Sequence, residues 1–487
     1  MDNAKNKLLV MKFGGTSMGS AERIQVAAKL TLAQHKRRPV AIVVSAMSKV
    51  TDLLLDTMAK AEKGDAAGVK ENLVQLAERH FSCCAALLSE KTFLKVMPRV
   101  QDLIDEFSQI ARGILMLREK PPQTSDRAVA MGERLSALIM AGYLQSQGVK
   151  AQAVSGASVI ATDDVFGNAS PLMEETRARA AKVLGPLLKK GALPVVTGFN
   201  GSTIDGRPTT LGRGGSDFSA SILSAALDAK ELWIWTDVDG IMTGDPRLVP
   251  EAKVIKAITY SEAAELAYAG AKVLHPRTLA PLIERGIPVW SKNSFAPQKP
   301  GTRIVPELKR AEGAHAVTSM TGVALISIEP TPKSASGTKL MAEAIDALAA
   351  AGVEVLAITS SSYRQSFCFL LRQAELRRAL EYLEETFQLE LAHGHVKPIE
   401  IDLEVGLIAV VGEGMRGKPG LAGRIFTAIS QEGINIIAIA QGSSELTIAI
   451  VVRRQGLERA VRAIHQACLM DQGLMGKSGN ATMKRLQ

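Results

Sequence analysis

Aromatic residues are scarce: 12 Phe, 5 Tyr and 3 Trp among 487 residues. So few stacking platforms argue against a nucleic-acid binder, even at a formal net charge of +9. Blocks of five like charges are also missing. The densest basic cluster, His35-Lys36-Arg37-Arg38, closes a helix-like segment and is no polybasic tail. Cysteines number four, with Cys83 and Cys84 adjacent and Cys368 and Cys468 isolated. No CxxC pair occurs, which excludes a disulfide framework and a zinc ribbon. His393-Gly394-His395 has no neighbouring cysteine and reads as a solvated loop. No apolar run approaches the roughly 18 residues of a membrane span. The opening stretch MDNAKNKLLVMKFGG is too briefly apolar for a signal-peptide core, so a cytoplasmic location is expected.

What is present is ordinary globular material, 46% hydrophobic and 22% charged. At about 100–200 residues per domain, the length predicts roughly three domains. The diffuse positive charge fits small anionic ligands such as phosphates and carboxylates.

Up to about residue 305, apolar β-like runs alternate with helical patterns. The runs are 8–13, 40–45, 149–155, 193–199, 231–236 and 287–291, with helices such as 21–34 and 125–147 between them. This alternation predicts an α/β fold with a mostly parallel sheet covered by helices on both faces. Residues 52–120 contain no strand pattern and read as a helical insertion, with Pro121-Pro122 at its exit. After Pro297, Pro300 and Pro306 an internal repeat begins. Gly352-Val-Glu-Val-Leu-Ala-Ile-Thr aligns with Gly433-Ile-Asn-Ile-Ile-Ala-Ile-Ala, and both continue ungapped for 20 residues to Arg372 and Arg453. Each copy reads strand, helix, strand, strand, helix, a ferredoxin-like α+β module. The expected boundaries are 1–305 for the first domain, 316–395 and 400–470 for the modules, and 471–487 for a tail.

Two glycine loops follow strands and open helices. In Lys12-Phe-Gly-Gly-Thr-Ser17, bare backbone amides, a helix N-terminus, a lysine and two hydroxyls form an anion cradle. It is not GxxxxGK[ST], so a Walker loop is excluded. Leu211-Gly-Arg-Gly-Gly-Ser-Asp217 adds Arg213, suited to bidentate contact with a carboxylate or phosphate. It lacks the third glycine of GxGxxG, which weakens a dinucleotide reading. Trp235-Thr-Asp-Val-Asp-Gly-Ile-Met-Thr-Gly-Asp-Pro-Arg247 leaves a strand at its carboxyl end, where open α/β sheets bind ligands. Gly270-Ala-Lys272-Val-Leu-His-Pro276 supplies another lysine near a turn, and Glu133 sits on a helix. Together the loops predict a polyphosphate site. No Ser-His-Asp set, metal triad or HExxH is present. Phosphoryl transfer to a carboxylate already ionised at pH 7 needs positioning and charge neutralisation, not a general base.

Taken jointly, in order and spacing, these motifs resemble the aspartate kinase family, and the doubled module resembles that family's paired ACT domains. The resemblance implies an amino-acid-kinase fold and the reaction ATP + L-aspartate → ADP + 4-phospho-L-aspartate. It implies catalytic roles for Lys12 and Asp217. It places Ser45, Thr51, Glu133, Arg213, Gly215 and Ser216 at the amino-acid substrate, with Glu133 on the ammonium and Arg213 on the α-carboxylate. Lys12, Gly14, Gly15, Ser17, Thr236, Asp237, Met242, Arg247 and Lys272 fall at nucleotide positions, where a tyrosine is usual in place of Met242. Mg²⁺ would arrive with ATP, and no protein metal site is implied. The regulatory half resembles that of aspartate kinases fused to homoserine dehydrogenase at Val411-Gly-Glu-Gly-Met-Arg416 and Ile439-Ala-Gln-Gly-Ser-Ser-Glu445. Gly414, Met415, Gln441, Ser443, Ser444 and Glu445 are thereby effector candidates, with threonine or lysine as the feedback ligand. Thr359-Ser-Ser-Ser-Tyr-Arg364 in the first module lacks that pattern. The 19 residues after the last module are too few for a dehydrogenase, so a monofunctional kinase is expected, self-associating through its ACT modules. Competing readings are a sensor subunit without kinase activity, a kinase of glutamate or N-acetylglutamate, and a dinucleotide oxidoreductase.

Overall fold

The computed structural model describes residues 7–470 except 272, 273, 275, 309–312, 335, 336, 362–365, 416 and 418. The expected tail lies outside the described residues. The chain divides into two compact units. The first holds described residues within Met1–Ile241, Lys256–Tyr260 and Leu274–Glu307. The second holds those within Met242–Ile255, Ser261–Val273 and Leu308–Gln487.

The first unit is built on strands β1 (Leu9–Phe13), β2 (Val40–Val44), β3 (Ala151–Val154), β4 (Leu193–Thr197), β7 (Glu231–Thr236), β8 (Ala257–Thr259), β9 (Val289–Asn293) and β10 (Thr302–Val305), with a separate hairpin of β5 (Asn200–Ser202) and β6 (Pro208–Thr210). The eight-stranded order is β3-β4-β2-β1-β7-β9-β10-β8, parallel except where β9 meets β10. The central strands LVMKF and VAIVV are buried at every position, as strands covered on both faces must be. The helices of this unit's first half are α1 (Ala21–His35), α2 (Val50–Lys63), α3 (Ala66–Leu87), α4 (Glu90–Leu117), α5 (Pro122–Val129), α6 (Met131–Ser146), α7 (Met173–Lys189) and α8 (Gly215–Ala226).

The expected helical insertion is α2–α4. In α4, Val96, Val100, Ile104, Phe107, Ala111 and Ile114 recur every three or four residues and are all buried, so one stripe meets the core. Gly64 (φ 84°) ends α2, and the Asp65 side chain caps α3 by accepting from the Gly68 amide at 2.9 Å. Pro122 opens α5, where its missing N–H costs nothing.

The second unit contains two four-stranded antiparallel sheets. Its strands are β11 (Ala316–Met320), β12 (Val323–Ile328), β13 (Val355–Ser360), β14 (Phe367–Arg372), β15 (Glu400–Asp402), β16 (Val405–Val411), β17 (Ile436–Gln441) and β18 (Thr447–Arg453). One sheet runs β13-β14-β12-β15, the other β11-β16-β18-β17. The repeat read in sequence is a repeat in structure. β13 and β17 carry the same irregularity at matching places, between Val355 and Ala357 and between Ile436 and Ala438.

The modules do not divide where 316–395 and 400–470 would divide them. β11 joins the sheet of the second module, and β15 joins that of the first. A strand-helix-strand-strand-helix unit leaves the outer edge of its first strand unpaired, and each exchanged strand covers one such edge. Residues 242–255 and 261–271 also group with this unit and not with a 1–305 domain. Val249 is buried in the core of the second module, and the Val317 amide donates to Thr243 O at 2.9 Å. Glu262 accepts from the Glu413 amide at 2.8 Å and pairs with His315, while Thr447 Oγ1 donates to Glu265 at 2.8 Å. Among the described residues, no helix is long and apolar enough to cross a membrane.

Candidate active site

A cavity of about 690 Å³ opens in the first unit at the carboxyl ends of β1 and β2. Its wall includes Lys12, Gly15, Ser45, Thr51, Glu133, Arg213, Gly215, Ser216 and Asp217. Every residue assigned by resemblance to catalysis or substrate binding is therefore on one surface. They come from β1, the end of β2, α2, α6 and the loop into α8, and the packing of helices and loops on the sheet brings them together.

Lys12 is the fourth residue of β1, 8% exposed, and its Nζ lies 2.6 Å from Asp217 Oδ1 in the first turn of α8. Both glycines lie close against their surroundings, Gly15 the more tightly. A Cβ on Gly15 would sit 3.2 Å from Ala46 O, and one on Gly14 would sit 3.4 Å from Lys12 Nζ. In the second loop Gly212 and Gly214 have φ of 72° and 71°, a region that L-side chains rarely enter. This double left-handed turn delivers the chain into α8, whose N-terminus faces the cavity through Gly215 and Ser216.

Glu133, in the first turn of α6, is 3% exposed. Its Oε1 accepts from the Ala46 amide at 3.1 Å, while its Oε2 is buried with no partner. Burial pushes its carboxyl up to about 8, opposed by the Ala46 amide and by Lys12. A buried carboxylate oxygen without a donor is costly, and a cation from solution would satisfy it.

Four predicted nucleotide residues of the first unit, Gly14, Ser17, Thr236 and Asp237, are not part of the cavity wall. Ser17 is fully buried, its hydroxyl 2.8 Å from that of Ser294, so it supports the loop from behind and does not line the cavity. Thr236 and Asp237 end β7, with the threonine hydroxyl donating to Asp237 Oδ1 at 3.1 Å. Met242 and Arg247 belong to the second unit, where Met242 bridges to Val254 and exposed Arg247 pairs with Asp245 at 2.5 Å. Lys272 lies outside the described residues.

Of the effector candidates, Gln441, Ser443 and Ser444 are exposed at the end of β17. Glu445 has φ 53°, and its Oε2 accepts from the Gly417 amide at 2.7 Å, tying this turn to the loop carrying Gly414 and Met415. Gly414 O accepts from the Gly313 amide at 2.8 Å, and the Met415 side chain is part of the module core. Arg416 lies outside the described residues, as do residues 362–365, the first module's counterpart of the turn that follows Gln441.

Sequence reasoning missed Ala46, Met47, Ser48, Lys49, Asp52, Leu55 and Phe199, which also line the cavity. Lys49 (φ 64°) and Phe199 (φ 68°) hold left-handed backbones that nothing in their residue type announces.

A model of the Amino acid kinase family matches residues 7–293, and one of the ACT domain matches 408–468. Aspartokinase 2 of Arabidopsis thaliana, a chloroplastic protein, is 33% identical over 472 residues, 95% of this chain and 84% of that protein. The chain belongs to the aspartokinases of the amino acid kinase family. A bifunctional aspartokinase/homoserine dehydrogenase of Arabidopsis is 35% identical over 464 residues, and one of Haemophilus influenzae is 34% identical over 483. The matches take in 94% and 96% of this chain, which spans 50% and 58% of those relatives. Among solved structures, E. coli aspartokinase III in complex with aspartate and ADP superposes with a TM-score of 0.81 at 29% identity, over 95% of this chain and 99% of that one. The same enzyme in complex with lysine and aspartate gives 0.76 at 30% identity, over 94% and 99%.

Proposed function

We propose that the chain transfers the γ-phosphoryl group of ATP to the side-chain carboxylate of L-aspartate, giving ADP and 4-phospho-L-aspartate. The observation that carries this reading is the unpartnered Oε2 of Glu133, buried in a cavity whose other charges include Lys12 and Arg213. A zwitterionic dicarboxylate matches that set. Its ammonium takes the empty Glu133 oxygen, its α-carboxylate takes the Arg213 fork, and its side-chain carboxylate is left toward Lys12. Glu133 in the empty cavity holds its proton. An arriving ammonium favours the ionised form, so binding releases that proton to solvent.

The acceptor oxygen is already anionic, so nothing must deprotonate it. Lys12 moves its charge from Asp217 to the transferring phosphoryl group, while Gly15 and the α8 N-terminus offer amides to phosphate oxygens; the Gly14 amide is engaged by Trp235 O at 3.2 Å and holds the loop against β7. Asp217 orients Lys12 before transfer. Mg²⁺ bound through the nucleotide supplies further neutralisation of the phosphates. E. coli aspartokinase III has been solved with aspartate and ADP, in keeping with this pairing of ligands.

Incubation with ATP, Mg²⁺, aspartate and hydroxylamine should give aspartyl hydroxamate. Glutamate and N-acetylglutamate in place of aspartate should give little. Absence of hydroxamate from folded protein would overturn the proposal and favour a sensor subunit.

For control, we propose that threonine or lysine binds at Gln441, Ser443, Ser444 and Glu445 with the Gly414–Met415 loop, and inhibits. E. coli aspartokinase III has also been solved with lysine bound, which supports an amino-acid effector. Inhibition titrations with threonine, lysine and methionine test this, and three flat curves would refute it. We also propose self-association through the ACT modules. Ile358 and Ile439, at equivalent places in the repeat, are 42% and 44% exposed. Light scattering measures that association.

A further inference from the structure

Asp126, on α5, is 2% exposed and is absent from the cavity wall. It nevertheless accepts three hydrogen bonds, each of 2.8 Å, from the Gly167 amide, the Thr210 amide and the Thr210 hydroxyl. A buried carboxylate with three donors is a strong, directional anchor. Thr210 is the last residue of β6, and Leu211-Gly212-Arg213 follows it directly. The same segment is held from its other side, where the Ala169 amide donates to Thr210 O at 2.9 Å and the Leu211 amide to Phe199 O at 3.0 Å. Gly167 and Asn168 then form a wall against Gly212, since a Cβ there would lie 2.6 Å from Asn168 Oδ1 and 3.2 Å from Gly167 O. Asn168 itself is held by Arg277, whose second guanidinium nitrogen donates to Ala169 O at 3.2 Å.

We infer that Asp126 is a positioning residue for the phosphoryl-transfer site. By gripping Thr210 and Gly167 together, it fixes the root of the Gly212–Gly214 double turn and so aims Arg213 into the cavity. The inference rests on the aspartokinase reading above. A backbone that enters the left-handed region twice in three residues has many alternatives, and glycine makes them accessible. A rigid root selects one. Loss of the root should weaken the grip on the substrate's α-carboxylate while leaving residues contributed by β1 and β7 in place.

Replacement by asparagine offers a test of mechanism. Its amide oxygen can accept the two N–H groups and its NH₂ can donate to the Thr210 hydroxyl, so all three contacts survive without the charge. Asp126→Leu removes every acceptor. We expect Asp126→Leu to raise KM for aspartate at least tenfold with KM for ATP within twofold of wild type, and Asp126→Asn to stay within threefold for both. Thr210→Val, which deletes one of the three donors and keeps a β-branched strand residue, should raise KM for aspartate about threefold if Asp126→Leu fails to fold. Hydrogen exchange of the ligand-free proteins supplies a readout independent of turnover. Amides of residues 211–217 should exchange at least tenfold faster in Asp126→Leu, or about threefold faster in Thr210→Val, with β1 and β2 unchanged. Equal changes in both KM values, or unaltered exchange over 211–217 in the folded variants, would overturn the inference. Wild-type protein that makes no hydroxamate would instead overturn the kinase reading, and the exchange data would still decide the role of Asp126.

Discussion

The cavity of the first unit and the Gln441–Glu445 turn of the second are both polar, yet they are built on opposite principles. In the cavity, Lys12 and Glu133 are 8% and 3% exposed, and Glu133 keeps one oxygen without a partner. In the turn, Gln441, Ser443 and Ser444 are exposed, and Glu445 is already satisfied by a backbone amide. A polar group held dry without a partner is costly when the cavity is empty and strongly favours a matching ligand. Charge held in water costs little and discriminates weakly. The difference teaches that the cavity is built to wait for a ligand that completes it, whereas the turn already has its contacts made by backbone or solvent.

The largest break in this contrast should come from Lys12→Ala, which removes the cation at the transferring group. We expect hydroxamate formation to fall by about 10²–10³-fold or more, with the melting temperature little changed. Glu133→Gln comes next. It keeps shape but removes the buried anion, and KM for aspartate should rise by about 10²-fold.

The same carboxyl sets a pH signature. Its folded value, about 8, lies above its ordinary 4.5, so the protonated form is the one the empty cavity favours. Stability from this group is fully present below about 4.5 and is lost as pH rises through about 8. The melting temperature of ligand-free protein should therefore decline across that window, and Glu133→Gln should flatten the decline. A slope unchanged in the variant would show that another group controls it.

In the exposed turn, Glu445→Ala should leave basal turnover unaltered and shift the half-inhibiting effector concentration about tenfold. The smallest effect is expected from Met242→Tyr, which restores the residue usual in the family. KM for ATP should drop about twofold to tenfold if that side chain meets the nucleotide, and should not move if it does not.

Much of this was legible beforehand because it is written in local patterns. Alternation of apolar strands with 3.6-period helices marked a parallel sheet, and the buried runs at β1 and β2 are those strands. The 20-residue ungapped match after Gly352 and Gly433 marked the repeat, down to matching irregularities in β13 and β17. Paired glycines next to Lys12 and Arg213 marked the cavity. Asp126 went unnoticed because an aspartate on a short helix is ordinarily a solvated residue, and only tertiary contact shows three donors around it. Lys49 and Phe199 were silent for a similar reason, since left-handed backbone at such residues is imposed by surroundings.

The sequence by itself determined the elements, the repeat and the residue types able to bind phosphate and carboxylate, because periodicity and glycine placement act within a few residues. Tertiary structure decided which edges the exchanged strands β11 and β15 cover, and that 242–255 and 261–271 group with the second unit. It also decided that Glu133 is dry and that one of its oxygens has no partner, which the sequence does not show. Pairing and burial join residues far apart in the chain, and their energies depend on neighbours that no local pattern names.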